Sequence, residues 1–217
     1  PAVRGVSLQV SAGETLGIVG ESGSGKSTLL RLLNGLHPAD AGLIRFRSSE
    51  VVGASTSELR KIRREMQMIF QDPYACLNPR MRVGEIMAEP LKIHGVPRAE
   101  RLPRVKELLD AVQLPVSALK KHPHEFSGGQ RQRIGIARAL ILKPALVLAD
   151  EPVASLDVSV QAQILNLLKE LQADFGCAMI FVAHDLPVVQ AISDRIAVMK
   201  DGQLVEELPA EDLFDRS

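Results

Sequence analysis

Residues 20–27 read Gly-Glu-Ser-Gly-Ser-Gly-Lys-Ser, a complete G-x-x-x-x-G-K-[ST] loop, and no other stretch restricts the fold as tightly. Its three glycines let the backbone curl until successive N–H groups face one point, which makes a concavity for phosphate oxygens. Gly20, Glu21, Ser22, Gly23, Ser24, Gly25, Lys26, Ser27 and Thr28 are therefore the candidate binders of a nucleoside triphosphate. Lys26 brings a compact positive charge for the β- and γ-phosphates, and the Ser27 hydroxyl is a ligand for Mg²⁺. The flanks supply the setting that such a loop needs. Thr15–Val19 is a short apolar run suited to a buried strand, and Leu29, Leu30, Leu32 and Leu33 recur at helical spacing. Phosphates held here would lie at a helix N-terminus, where unpaired N–H groups and the helix dipole favour anions. The competing reading is a glycine-rich turn that binds nothing, and the strand–loop–helix setting weighs against it.

A loop of this kind leaves kinases, GTPases, helicases and transport ATPases open. Residues Ala145–Glu151 form an apolar run that ends in two adjacent carboxylates. Asp150 suits holding a metal through its water shell, and Glu151 suits polarising an attacking water as a general base. Between the two elements lies Phe126-Ser127-Gly128-Gly129-Gln130, followed by apolar Ile134, Ile136, Ala137 and Leu140 in a helical pattern. Ser127 is a good N-cap, and the glycines expose N–H groups at the helix start, which makes a second anion site. One chain then carries two separate binders for γ-phosphate. That makes sense if two such chains face each other and each offers its Ser-Gly-Gly to the nucleotide on the other's loop.

With these elements in place, the chain resembles the ATP-binding subunits of ABC transporters over essentially all of its 217 residues. Phe126–Gln130 resembles the family's signature motif, with Phe126 where Leu is usual; that position packs rather than touching phosphate. Gln71 in Ile69-Phe70-Gln71-Asp72-Pro73 matches the Q-loop, which reaches the Mg²⁺ and the attacking water and senses the permease. Ser155-Leu156-Asp157 matches the D-loop at the dimer interface, and His184 in Val182-Ala183-His184-Asp185 matches the switch histidine at the γ-phosphate. The resemblance implies Glu151, His184 and Gln71 as catalytic residues, and Ser27, Gln71 and Asp150 around the metal. ATP would contact residues 20–28 together with Ser127, Gly128, Gly129, Gln130 and Asp157. ATP and Mg²⁺ are the implied cofactors.

Within that family, Phe70–Met81 (Phe-Gln-Asp-Pro-Tyr-Ala-Cys-Leu-Asn-Pro-Arg-Met) resembles the dipeptide/oligopeptide importer branch, which also includes nickel and glutathione importers. His122-Pro123-His124-Glu125-Phe126 fits the same branch, and the His-Pro-His doublet reads as a plain loop rather than a metal site. The resemblance implies an ATP-hydrolysing subunit that drives import and sits peripherally on the cytoplasmic face of the inner membrane. Its implied partners are two transmembrane permeases, a homologous ATPase subunit in a homo- or heterodimer and, indirectly, an extracytoplasmic substrate-binding protein. The permease contact is expected around Tyr74 to Met87, with Tyr74 and Met81 either exposed to receive a short permease helix or packed inside the insert. Cargo is not written in the chain. The alternative is a soluble ABC-type ATPase acting on nucleic acid or ribosomes, which usually has long insertions, coiled coils, a tandem ATPase or a basic surface. None of those features occurs, and 26 Lys and Arg against 26 Asp and Glu leave no basic footprint for nucleic acid. An ordinary P-loop kinase leaves Ser127–Gln130 unexplained.

The fold expected is α/β: a P-loop NTPase (RecA-like) core with a mainly parallel sheet, a nested helical subdomain and antiparallel strands at the edges. Residues 1–71 and 138–217 are expected as the nucleotide-binding core, and 72–137 as the helical subdomain carrying the signature. In that subdomain, helical patterns at Val83–Ile93 and Arg98–Val112 are broken by Pro90, Pro97, Pro103 and Pro115. Asp201-Gly202 is a hairpin signal, Val6–Val10 reads as a strand, and Lys61-Ile62-Arg63-Arg64 as a solvated helix face. No apolar run is long enough for a membrane span. Cys76 and Cys177 are isolated and read as reduced thiols. Two family features are missing. The family stacks adenine on an aromatic residue upstream of the loop, yet no Phe, Tyr or Trp precedes Phe46. The opening at Pro1 inside a strand-like run suggests an N-terminal truncation and weaker nucleotide affinity, and the branch's C-terminal extension is absent after Ser217.

Overall fold

The apolar runs offered as strands assemble into one six-stranded sheet in a computed structural model that describes residues 2–213. Pro1 and Phe214–Ser217, to which the two truncation expectations attach, lie outside the described residues. The first strand, β1 (Thr15–Val19), is buried at every position, as a strand covered on both faces must be. The loop after it leads into α1 (Lys26–Leu33). A two-residue ribbon, β2 (Arg45–Phe46) with β3 (Ser49–Glu50), precedes α2 (Thr56–Glu65). Ser55 starts α2 with a capping box: its Oγ accepts from the Glu58 N–H, and the Glu58 carboxylate accepts from the Ser55 N–H.

After β4 (Met66–Ile69) come α3 (Pro73–Cys76), α4 (Val83–Ile93), α5 (Arg98–Ala111) and α6 (Gly128–Leu140), with no strand between them among the described residues. The rest alternates as β5 (Leu146–Asp150), α7 (Val158–Phe175), β6 (Ala178–Ala183), α8 (Leu186–Ile192), β7 (Arg195–Lys200) and β8 (Gln203–Pro209). Sheet order is β4-β5-β6-β1-β7-β8. All neighbours pair in parallel except β7 with β8. Asp201 and Gly202 turn that last pair with φ of 49° and 83°, the left-handed pair that a tight hairpin requires. The architecture is the α/β fold expected, with antiparallel strands at the edge.

Strand periodicity sorts the core into two layers. Val147, Ala149, Met179 and Phe181 face α4, α5, α6 and α7 through Met87, Leu109, Ile134 and Leu168. Leu148, Ile180 and Val182 face the other way, with Leu16 and Ile18, onto Leu29 and Leu30 of α1 and Ile62 of α2.

Four local expectations are corrected or narrowed. Pro90 and Pro103 lie inside α4 and α5 instead of breaking them. Each removes one backbone hydrogen bond, but the buried Leu91 of α4 and Val105, Leu108 and Leu109 of α5 hold the helices against the core. Val6, Leu8 and Val10 do alternate onto the second core layer, yet this stretch joins no strand ladder among the described residues. Met81 is half-buried against the first core layer, so of the two readings the packed one holds for it. Arg63 is not simply solvated: it donates to the Asn34 and Gly35 carbonyls at 3.2 and 2.7 Å.

Helix α8 crosses β1 at Gly17, where a Cβ would meet Val189 Cγ1 at 2.2 Å and Ser193 Oγ at 2.3 Å. Gly17→Ala should destabilise the protein by about 1–3 kcal/mol through overpacking. A urea midpoint equal to wild type would show that α8 does not press on β1 in this way.

Candidate functional site

Strand register builds the site. Val19 lies opposite Ala183, Asp150 opposite Val182, and Ala149 opposite Ile69. Four adjacent parallel strands therefore end at one level, which is where open α/β sheets place their ligands. The 20–27 loop follows β1, Gln71 follows β4, Asp150 and Glu151 close β5, and His184 follows β6.

The loop is held from two sides. A Cβ on Gly20 would lie 2.1 Å from the Met199 carbonyl oxygen, so the loop leaves β1 along a path open only to glycine. Gly25 takes φ 104° directly before α1, again a conformation suited to glycine. The Gly202 N–H of the β7–β8 hairpin donates to the Ser24 carbonyl at 3.0 Å. That brace was not anticipated from sequence. The Asp201-Gly202 signal announces a turn but not what the turn touches.

Lys26 is 4 % exposed, and its Nζ donates to the carbonyls of Gly20 at 2.7 Å and Glu21 at 2.9 Å. A buried ammonium is tolerated because the loop's own oxygens solvate it. Ser27 Oγ donates to Asp150 Oδ1 at 2.7 Å. Burial pushes the Asp150 carboxyl above the ordinary carboxylate range; the Ser27 bond pulls it back, and the neighbouring Glu151 charge pushes it further up.

Glu151 sits at φ 43°, a left-handed conformation uncommon for a non-glycine residue, and its N–H donates to the Val182 carbonyl at 2.9 Å. This kink turns the side chain out of the strand. Gln71 Nε2 lies 3.4 Å from Glu151 Oε2, and His184 Nδ1 lies 3.2 Å from the same oxygen. Three strands thus converge on one carboxylate, beside a cavity of about 50 Å³ lined by Val153, Gln161, Ala183 and Val188. A carboxylate aimed by two side chains into a small recess has the arrangement of a general base.

Ser127–Gln130 forms a separate construction. Ser127 caps α6: its Oγ accepts from the Gln130 N–H at 3.3 Å, and Gln130 Oε1 accepts from the Ser127 N–H at 3.1 Å. The Gln130 side chain is thereby engaged in capping, while helix geometry leaves the first-turn N–H groups of Gly128 and Gly129 without intrahelical acceptors. A Cβ on Gly129 would meet Val160 Cγ1 at 2.6 Å, so close packing of α6 on α7 also demands glycine there. Phe126 is buried, with Lys121 Nζ 5.8 Å from its ring centroid. Asp157 stands exposed at the N-cap of α7, with no side-chain capping bond. Among the described residues no hydrogen bond joins Ser127–Gln130 or Asp157 to the 20–28 loop, Asp150, Glu151 or His184. The chain brings together one set of the candidate residues and leaves the other apart.

The family model described as ABC transporter matches residues 3–154. The chain belongs to the ABC transporter family. It is 54% identical over 215 residues to a Brucella abortus (strain 2308) protein named for peptide import and ATP binding, covering 98% of this chain and 64% of that one. The oligopeptide transport ATP-binding protein OppF of Bacillus subtilis (strain 168) is 53% identical over 217 residues, covering 99% of this chain and 71% of its own length. The chain thus spans 64% of the length of the Brucella relative. Among solved family members, a dimeric ATP-binding cassette, MJ0796, bound to ADP and Pi, superposes with a TM-score of 0.86 at 33% identity, over 96% of this chain and 90% of that one. The cbiO1 structure from Clostridium perfringens gives 0.90 at 29% identity, over 99% and 84%.

The raised Asp150 carboxyl has a consequence for stability. With its folded value above the unfolded one, the native state binds more protons between the two, so stability falls as pH rises through that window. Asp150→Asn keeps an oxygen acceptor for Ser27 and removes the buried charge. In the absence of ligand it should raise Tm at pH 7, with the gain shrinking towards zero below the ordinary carboxylate range. A Tm lowered at pH 7 would contradict this electrostatic account.

Proposed function

We propose that this chain binds and hydrolyses ATP as the energy-supplying subunit of an importer, with peptides as the cargo class. The observation that carries the chemistry is the convergence of Gln71 and His184 on Glu151, one residue beyond the Ser27–Asp150 pair. The cargo class is supported by the Brucella and Bacillus relatives, named for peptide and oligopeptide transport.

The cofactors in this reading are ATP and Mg²⁺. The donor set fits such a cation: a hydroxyl and a desolvated carboxylate, both hard oxygen ligands, meet at the end of the loop. Ser27, Gln71 and Asp150 would hold it, and when bound it supplies charge neutralisation on the phosphates. Lys26 exchanges the Gly20 and Glu21 carbonyls for β- and γ-phosphate oxygens, which the loop N–H groups also bind. Glu151 takes the proton of the attacking water, while Gln71 and His184 keep its carboxylate oriented.

Ser127, Gly128 and Gly129 serve the nucleotide held on a partner ATPase, whose own segment serves this one, with Asp157 at the contact. The reading divides the chain into a core, 1–71 and 138–217, and a helical segment, 72–137, that shifts as ATP favours the closed pair. The assembly includes two transmembrane permeases, and the permease contact on this chain lies near Tyr74 to Met87, where Tyr74 and Arg80 are exposed. No described helix is long and apolar enough to cross a membrane. The reading places the chain peripherally on the cytoplasmic face, with an extracytoplasmic binding protein delivering cargo.

Glu151→Gln should leave Mg-ATP binding intact and lower turnover by roughly 10²- to 10⁴-fold, because only the proton acceptor is lost. ATPase activity near wild type would remove Glu151 from the role. Ser127→Arg places bulk where the opposing γ-phosphate should lie. That variant should bind ATP with wild-type affinity yet fail ATP-dependent dimerisation; parallel loss of both would place the segment in the chain's own pocket.

A further inference from the structure

The five residues after Gln71 are fastened to α6 at two points. Arg138 Nη1 donates to the Cys76 carbonyl at 3.3 Å while its Nη2 pairs with Glu89 at 3.1 Å. Nearer the start of the helix, the Arg131 guanidinium carbon lies 5.5 Å from the Tyr74 ring centroid, within cation–π range. Arg131 Nη1 also donates to the Phe126 carbonyl at 2.5 Å. Its Nε is buried with no partner, so the ring and the carbonyl are what locate the guanidinium.

The Phe126 carbonyl belongs to the peptide whose N–H is that of Ser127, and this N–H donates to Gln130 Oε1 at 3.1 Å. Both ends of that peptide are therefore held, one by Arg131 and the other by Gln130. Its plane sets where the Ser127 hydroxyl and the Gly128 and Gly129 N–H groups point. At the other end, the Tyr74 N–H donates to Asp72 Oδ1 at 2.8 Å, and Asp72 follows Gln71, which touches Glu151. Contacts thus run without a gap from the Glu151 carboxylate, through Gln71, Asp72, Tyr74 and Arg131, to the Phe126–Ser127 peptide.

We propose that Tyr74 and Arg131 are a positioning pair that links Gln71 at this chain's own Glu151 to the orientation of Ser127–Gly129. The proposal rests on the reading above in which Ser127–Gly129 serves the partner's nucleotide. It makes each site report its state to the other through one cation–ring contact. Tyr74 is 52% exposed, so anything that docks beside it also acts on that contact.

The test uses the full chain, measuring Mg-ATP affinity by equilibrium binding and ATP-dependent dimerisation by sedimentation. Tyr74→Leu should leave ATP affinity within about twofold and weaken ATP-dependent dimerisation roughly 3- to 10-fold, the range of a partly exposed cation–π contact. Tyr74→Phe keeps the ring and should retain wild-type dimerisation, which a role resting on the phenol hydroxyl would not allow. Arg131→Gln removes the cation and should weaken dimerisation at least as much. Adding Tyr74→Leu to Arg131→Gln should then cost nothing further, since the contact is already lost. Additive losses, or wild-type dimerisation in Tyr74→Leu, would overturn the pair. Ser127→Arg in the same assay separates the two levels. If it dimerises normally, the underlying two-chain reading fails and the pair with it; if it does not while Tyr74→Leu does, the pair alone fails.

Discussion

The hydrogen bond from Ser27 Oγ to Asp150 Oδ1, 2.7 Å long, ties the first turn of α1 to the end of β5. It joins the loop that would cradle phosphate to the strand that carries the acidic pair. A carboxylate only 4% exposed is costly in water-poor surroundings, and one hydroxyl compensates it in part. The unrelieved remainder shows as the raised Asp150 carboxyl, and the proposed cation would relieve it. Lys26 answers the same shortage with the opposite charge, using the loop's own carbonyls, whose place phosphate oxygens would take in the proposed reading. The site is therefore assembled without ligand but electrostatically incomplete, and nucleotide with its metal would complete it.

Position in the sheet supplies the rest. Because β4, β5, β6 and β1 are parallel neighbours in near-level register, residues far apart in sequence arrive within bonding distance; Gln71 and Glu151 are 80 positions apart. The strained φ of Glu151 is maintained by its N–H bond to Val182 of the adjacent strand, so the orientation of the proposed base depends on sheet pairing. Ser127–Gly129 obeys another constraint. It is built from a capping box and from the close passage of α6 over Val160, and among the described residues no hydrogen bond joins it to the site around Glu151. A chain that completes one half of a site and finishes a second feature elsewhere fits the proposed pairing of two chains.

Much of this was legible in the sequence where the signal was local. The 20–27 loop, the apolar run into Asp150-Glu151 and the Ser127 cap each need only a short window, and their elements form where expected. Gln71 and His184 are single polar residues at strand ends, invisible to periodicity, and only resemblance to a family singled them out. The Gly202 brace on Ser24 and the Arg131 contact to Tyr74 are tertiary, and no spacing rule encodes them. Pro90 and Pro103 misled because helix breaking is a local tendency that a buried apolar face overrides. Val6–Val10 misled in the opposite sense: alternation reported burial correctly, but a strand also requires a partner.

The central claim is that each nucleotide is served by two chains, and mixing two defective chains tests it most directly. One carries Lys26→Ala, which disables its own loop, and the other carries Ser127→Arg, which disables what it offers its partner. In a mixed dimer, one of the two composite sites has an intact loop and an intact Ser127–Gly129. The account predicts that each variant alone is inactive and that an equimolar mixture recovers ATPase activity, up to about one quarter of wild type for random pairing. A mixture no more active than its components would contradict it, because a site completed within one chain cannot be restored by another.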